Sequence, residues 1–127
     1  PELMMEVESR EDEYVINQPT GKISMLERSE SAAVREVLEE TGYHCEVTGS
    51  LPLMRQDIGE RGIYVRHPFV VEIDHDYERE EIMDHLVVGT RWVDFPTLLE
   101  LHATGGLRND MVIKTIESYL STLNQGV

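Results

Sequence analysis

A chain of 127 residues suits one domain built around one core. Its hydrophobic content of 40% lies in the globular range, no low-complexity segment argues for disorder, and no apolar run approaches the roughly 18 residues of a membrane span. Eleven basic residues against 25 acidic ones leave a net charge of −14, which excludes nucleic-acid polymers and anionic membranes as expected partners and calls for a bridging divalent cation if the substrate is itself anionic.

No signal-peptide pattern opens the chain, which begins at Pro1 without a methionine; a processed or truncated N-terminus is one expectation. Leu3, Met5 and Val7 then alternate with polar neighbours, and after the turn-like SRED (residues 9–12) Tyr14 and Ile16 resume the alternation, which predicts a hairpin. NQPTG (17–21) punctuates it, and Lys22-Ile23 reads as a short strand. Ser29 to Thr41 reads as a helix, with Ala33, Val34, Val37 and Leu38 as its apolar stripe and Gly42 at the left-handed position past its end.

Tyr43 to Asp57 is extended. It contains Cys45, the sole cysteine, so no internal disulfide can form and a cytoplasmic setting is expected. Only His44 stands beside the thiol as a basic neighbour, and Cys45 is read as an inert strand residue. After GERG (59–62) a second long strand carries Ile63, Val65, Phe69, Val71 and Ile73, interrupted by His67. A charged loop, residues 74–85, leads to a strand over Leu86–Val93. Asp94 and Pro96 predict a helix over Phe95–Leu101. HATGG (102–106) breaks the chain, and a last helix runs from Asn109 to Leu123 with Met111, Ile116, Tyr119, Leu120 and Leu123 on its apolar side. The sum is an α+β or mixed α/β chain without repeats or linkers, over 1–127 as one domain, and not a regular βαβ array.

The first helix is the chemically loaded element. At about 100° per residue, Glu36, Glu39 and Glu40 share a face opposite the Ala33/Val37 stripe. Like charges at this spacing weaken a helix, and several carboxylates on one face suit Mg²⁺ or Mn²⁺, hard cations that take oxygen donors. The plain alternative is a solvated acidic face, since Glu is a good helix former. The surrounding spacing decides between them. Gly21, Glu27, Arg35-Glu36-Val37, Glu39-Glu40 and Gly42-Tyr43 stand in the order G-x5-E-x7-R-E-U-x-E-E-x-G-U, where U is a bulky aliphatic residue and Tyr43 is an aromatic departure.

This stretch resembles the Nudix box of the MutT-like Nudix hydrolases. NQPTGK before it, and RWVDFPTLLEL and LRNDMVIKTIESY after it, resemble flanking segments of that family, the first and last those of its NudJ-like nucleoside tri- and diphosphate phosphatases. The resemblance implies an α/β/α sandwich around a mixed sheet, with a loop-helix-loop catalytic motif. It also implies metal-dependent hydrolysis of phosphoanhydride bonds in a nucleoside diphosphate linked to another group. Glu36, Glu39 and Glu40 would hold Mg²⁺ (or Mn²⁺) together with the backbone carbonyl of Gly21, and one glutamate, Glu39 or Glu36, would act as general base. Glu27 and Arg35 would brace the loop against the helix. The upstream part of the first strand would then precede Pro1, or a partner chain would supply its equivalent, with a monomer or homodimer as the expected state. Departures from the family pattern are Ser24, Met25-Leu26 in place of Pro-Gly, and Arg28 where a Ser or Thr caps the helix; Ser29 is expected to take over that cap.

Further candidates follow. Glu78, Glu80 and Glu81 offer an extra ligand or base, and Asp84 is a weaker one of the same kind. Arg55 and Arg108, and with them Arg66, could touch phosphate. Tyr64 and Trp92 could stack on a base, with core packing the preferred role for Trp92. The histidines, His44, His67, His75, His85 and His102, show no ligand spacing. The partner is therefore expected to be a nucleotide or other small diphosphate. Competing readings are a housecleaning nucleoside triphosphate pyrophosphatase, an ADP-ribose pyrophosphatase, a domain that senses a nucleotide without turning it over, and an acidic interaction domain with a structural metal.

Overall fold

The computed structural model describes residues 2–10, 13–21 and 26–124, so the short strand expected at Lys22-Ile23, and the loop positions Ser24 and Met25, lie outside the described residues. The alternating segments at the N-terminus form the expected hairpin, β1 (Glu2–Arg10) and β2 (Glu13–Asn17), paired antiparallel from Glu6 opposite Asn17 to Arg10 opposite Glu13. β7 (Val87–Asp94) pairs with the other edge of β1, from Glu2 opposite Asp94 to Glu8 opposite Val87, giving the order β2-β1-β7.

A central strand is covered on both faces. Met5 joins Ile16, Val93, Leu98, Val112, Ile113 and Ile116 in the main core, beneath α2 (Phe95–Ala103) and α3 (Met111–Asn124). Glu6 and Glu8 are equally buried, and Glu6, which points the other way from Met5, lies near enough to α1 (Ser29–Thr41) for the charge of Glu40 to act on it. Because successive strand residues point to opposite faces, α1 lies on one side of this sheet and α2 with α3 on the other. This is the mixed α+β architecture the residues predict.

Other expectations are corrected. The second long strand is two strands, β5 (Ile63–Arg66) and β6 (Phe69–Ile73), broken at His67-Pro68, where proline has no N–H to give to a ladder. The extended stretch before it divides likewise into β3 (Cys45–Ser50) and β4 (Met54–Asp57). β3 pairs with β6 and β4 with β5, each antiparallel. A parallel bridge joins Ile16 to Leu107, with Ile16 N–H donating to Gly106 O and Arg108 N–H to Ile16 O, both at 2.8 Å.

In α1 the buried residues are Ala32, Val37, Glu40 and Thr41, not an Ala33/Val34/Leu38 stripe, so the acidic residues do not all oppose the apolar face. Its N-cap is Arg28, with extended backbone and no side-chain cap; Ser29 is the first helical residue and does not take over the cap. Gly42 ends the helix at φ 77°, as expected. Leu123 on α3 is 49% exposed, off the apolar side assigned to it. No helix among the described residues is long and apolar enough to cross a membrane.

Candidate active site

Arg35 is the hub of the acidic helix. Its Nε and Nη2 donate to Glu27 Oε2 and Oε1 at 2.8 and 3.0 Å, a two-pronged pair that ties the end of the preceding loop to α1. Its Nη1 donates to Glu36 Oε1 at 2.9 Å and to Glu39 Oε2 at 3.2 Å. The bonds to Glu27 come first among the influences that raise the pKa of the guanidinium. Glu27, Arg35, Glu36 and Glu39 thus form one connected cluster.

Gly21 lies against this cluster. A Cβ there would stand 1.9 Å from Glu36 Oε1, so the Glu36 carboxyl occupies space that only glycine leaves open. Thr20 N–H donates to Glu40 Oε2 at 3.1 Å, which holds the incoming loop to the last turn of α1. Glu40 is only 5% exposed. Burial, followed by its contact with Glu36, pushes its pKa well up.

The charged loop forms the opposite wall. Glu80 N–H donates to Gly42 O at 2.7 Å and Met83 N–H to Glu39 O at 2.8 Å. Arg79 Nε donates to Thr41 O at 2.9 Å while its guanidinium lies 4.4 Å over the Tyr43 ring, a cation at the helix end where the dipole favours one. These ties bring Asp84 and His85 opposite the helix, and Glu36, Glu39, Glu40, Met83, Asp84 and His85 line an open cleft of about 330 Å³. Glu78, Glu80 and Glu81 do not line it; Glu80 instead contacts the His44 Nε2, and His44 stacks on Tyr77 at 4.6 Å. His44 is thereby engaged away from Cys45, whose thiol burial pushes up to about 11, consistent with an inert residue.

A larger groove of about 1100 Å³ adjoins the cleft and shares Glu36 with it. Gly21, Tyr64, Arg66 and Trp92 line it, and Trp92 is 47% exposed, which corrects the core role preferred for it. Arg66 is held by Gln56 Oε1 through Nε and Nη2 at 3.0 and 2.8 Å. Arg55, on β4, and Arg108, before α3, are exposed and line neither opening.

The donors around the cleft are the carboxylates of Glu36, Glu39, Glu40 and Asp84 and the His85 imidazole, and the carboxylate oxygens suit a hard divalent ion in kind. Among the described residues no three acidic, histidine or cysteine side chains converge tightly enough to grip an ion as they stand, and the positive charge between Glu36 and Glu39 is that of Arg35. An ion would therefore compete with Arg35 for those two carboxylates.

Two buried residues escaped the sequence reading: Glu6 and Glu8. Burial, then contact with Glu8 and Glu40, pushes the Glu6 carboxyl far up. The only signal was two glutamates on successive same-face positions of a strand, which solvent would equally have explained.

A family model described as NUDIX domain matches residues 4–114. The fold is similar to that of a NUDIX hydrolase from Nitrosomonas europaea, at 24% identity and a TM-score of 0.83 over 95% of this chain and 81% of that one. It is also similar to the solution structure of the E. coli ORF135 protein, at 17% identity and a TM-score of 0.73 over 94% and 80% of the two chains. At these identities the likeness is one of fold. No curated protein matches the chain significantly.

Proposed function

The chain belongs to the NUDIX domain family, hydrolases of nucleoside diphosphates linked to another moiety, and from that premise we propose metal-dependent hydrolysis of nucleoside tri- or diphosphates in the acidic cleft. The observation that carries the reading is the meeting of Glu36, Glu39, Glu40 and Asp84 around one opening, beside the Glu27–Arg35 brace. Glu36, Glu39 and Glu40, with the Gly21 carbonyl, would hold Mg²⁺ or Mn²⁺, the kind of divalent ion the family generally uses. Such an ion supplies the positive charge that draws a polyphosphate into an acidic cleft and activates water toward it.

The remaining work falls to the chain itself. Glu39 sits at the rim with 36% of its side chain exposed, the accessible carboxylate to take a proton from the attacking water. Arg35 and Glu27 keep the loop and helix in register, which preserves the approach of Gly21 to Glu36. The groove gives the rest of the substrate its place: Tyr64 and Trp92 present flat faces for a base, and Arg66 a charge for phosphate. Arg66 takes the phosphate role in this proposal, since Arg55 and Arg108 line neither opening.

The test is incubation with Mg²⁺ or Mn²⁺ and nucleoside tri- and diphosphates, ADP-ribose, dinucleoside polyphosphates and thiamine pyrophosphate, with orthophosphate and pyrophosphate measured separately. Metal-dependent release is expected, with kcat lowered roughly 10²–10⁴-fold in Glu39→Gln and strongly lowered in Glu40→Gln. Orthophosphate from nucleoside tri- and diphosphates identifies the phosphatase. Pyrophosphate, or AMP from ADP-ribose, moves the assignment to a housecleaning or ADP-ribose pyrophosphatase. No turnover alongside measurable nucleotide binding makes it a sensing domain.

A further inference from the structure

Two arginines of this chain are neutralised at short range, Arg10 by Glu8 and Arg35 by Glu27, Glu36 and Glu39. Arg66 is held differently. Its Nε and Nη2 both donate to Gln56 Oε1, at 3.0 and 2.8 Å, and among the described residues no carboxylate forms an ion pair with it. The geometry is that of a two-pronged ion pair with the partner's charge removed. Glutamate has the same reach and would bind a guanidinium more strongly. In a chain with 25 acidic residues and three glutamines, a neutral partner at this place needs an explanation.

The surroundings of the pair supply one. β4 and β5 form a two-stranded ribbon between Pro52 and Pro68 that pairs with no other strand among the described residues. Opposite residues share a face and successive ones alternate, so Met54, Gln56, Tyr64 and Arg66 lie on one face and Arg55, Asp57, Ile63 and Val65 on the other. The adjacent acid, Asp57, is therefore on the wrong face for Arg66, and it accepts instead from Gly59 N–H in the turn, at 2.8 Å. Met54 ties the first face to α3, its sulfur accepting from Thr115 Oγ1 at 3.6 Å, and Tyr64 and Arg66 line the groove there. Arg66 is the sole lysine or arginine lining that groove among the described residues, whereas Glu2, Glu36 and Glu72 all line it. A neutral clamp leaves this one positive charge whole in an otherwise acidic groove.

We propose that Gln56 is a positioning residue for anion recognition in the groove, fixing the Arg66 guanidinium without cancelling its charge so that its remaining N–H donors meet a phosphate of the substrate. The inference rests on the reading of Arg66 as the phosphate contact. Of the five N–H donors of an arginine, Gln56 takes two. The plain alternative is a cross-strand staple for a ribbon that is marginal by itself. The two roles differ in what a glutamate at position 56 does: it keeps or strengthens a staple, but it neutralises the charge that an anion needs.

The decisive comparison is wild type, Gln56→Glu, Gln56→Ala, Arg66→Met and the double variant Gln56→Glu/Arg66→Met, measured for melting temperature and for kcat and KM with a nucleoside triphosphate and Mg²⁺. Gln56→Glu is expected to melt no lower than wild type and to raise KM about tenfold at little-changed kcat, the size of one hydrogen bond to a charged group. Gln56→Ala, which loses the aim but keeps the charge, is expected to raise KM less and to melt lower. Added to Arg66→Met, Gln56→Glu is expected to raise KM less than threefold further, because its effect passes through Arg66. A KM of Gln56→Glu within twofold of wild type, or a full tenfold rise on the Arg66→Met background, would overturn the proposal. If wild type turns over no nucleotide, the functional reading fails on its own, and inorganic phosphate decides this one. Followed on the Arg66 Nε–H magnetic resonance signal, assigned by its loss in Arg66→Met, a saturable shift in wild type that Gln56→Glu abolishes supports the proposal, and no shift in wild type overturns it.

Discussion

Leu26 holds a left-handed backbone, φ 67°, at full exposure, just where the loop before the acidic helix turns in. For a residue with a Cβ that conformation costs about 1–2 kcal/mol, and its apolar side chain gains nothing in solvent. Glycine removes the steric cost and gives back part of it as unfolded-state entropy. Leu26→Gly is expected to stabilise the protein by about 0.5–1 kcal/mol, read as a higher urea midpoint at unchanged slope. Gly42 is the converse case. It already has φ 77°, and a Cβ there would lie 2.0 Å from Glu80 O, so the helix end and the loop that walls the cleft both depend on it. The left-handed role of Gly42 was legible from its place after the helix; its closeness to Glu80 was not, because the two stand 38 positions apart in the chain.

Caps show how firmly a local signal decides an element. Asp94 Oδ1 accepts from Thr97 N–H at 3.0 Å, and α2 begins where Asp94 and Pro96 predict. The bonds to Thr97 lower the Asp94 pKa below its usual 3.8. Because the folded value is the lower one, the charged cap stabilises fully above about pH 4 and its contribution is lost as pH falls through the folded value. Asp94→Ala is therefore expected to melt below wild type at pH 7, with the gap narrowing as acid protonates the cap; a gap constant down to pH 2 would refute this. α1 lacks any such side-chain cap at Arg28, and its orientation is fixed instead by the Arg35–Glu27 pair and by the loop bonded to its end. Pro68 likewise divides what hydrophobic alternation alone reads as one strand, since the period of two continues across it.

At the scale of the whole molecule, a net charge of −14 on 127 residues repels itself in the folded state. Screening relieves that repulsion, with a Debye length near 10 Å at 0.1 M salt. Melting temperature is expected to rise as NaCl increases from about 0.02 to 0.2 M, and to rise further when millimolar Mg²⁺ replaces part of the NaCl at constant ionic strength. An equal response to both salts would mean that the acidic cleft attracts the divalent ion no better than the rest of the surface does.

The sequence by itself determined the elements whose causes are local: the N-terminal hairpin, the bounds of α1, its glycine stop, the Asp94 cap, and the spacing of Gly21, Glu27, Arg35, Glu36, Glu39 and Glu40 that carries the family's signature. Periodicity, capping and spacing are all expressed within a few turns of chain. Tertiary structure alone decided that β1 is a central strand, and so that Glu6 and Glu8 are buried rather than solvated. It also turned Glu40 inward and brought Asp84 to the cleft in place of Glu78, Glu80 or Glu81. It opened Trp92 to the groove as well. Each of these depends on which elements pack together. A carboxyl or an indole reads the same in sequence whether water or a neighbouring strand lies against it.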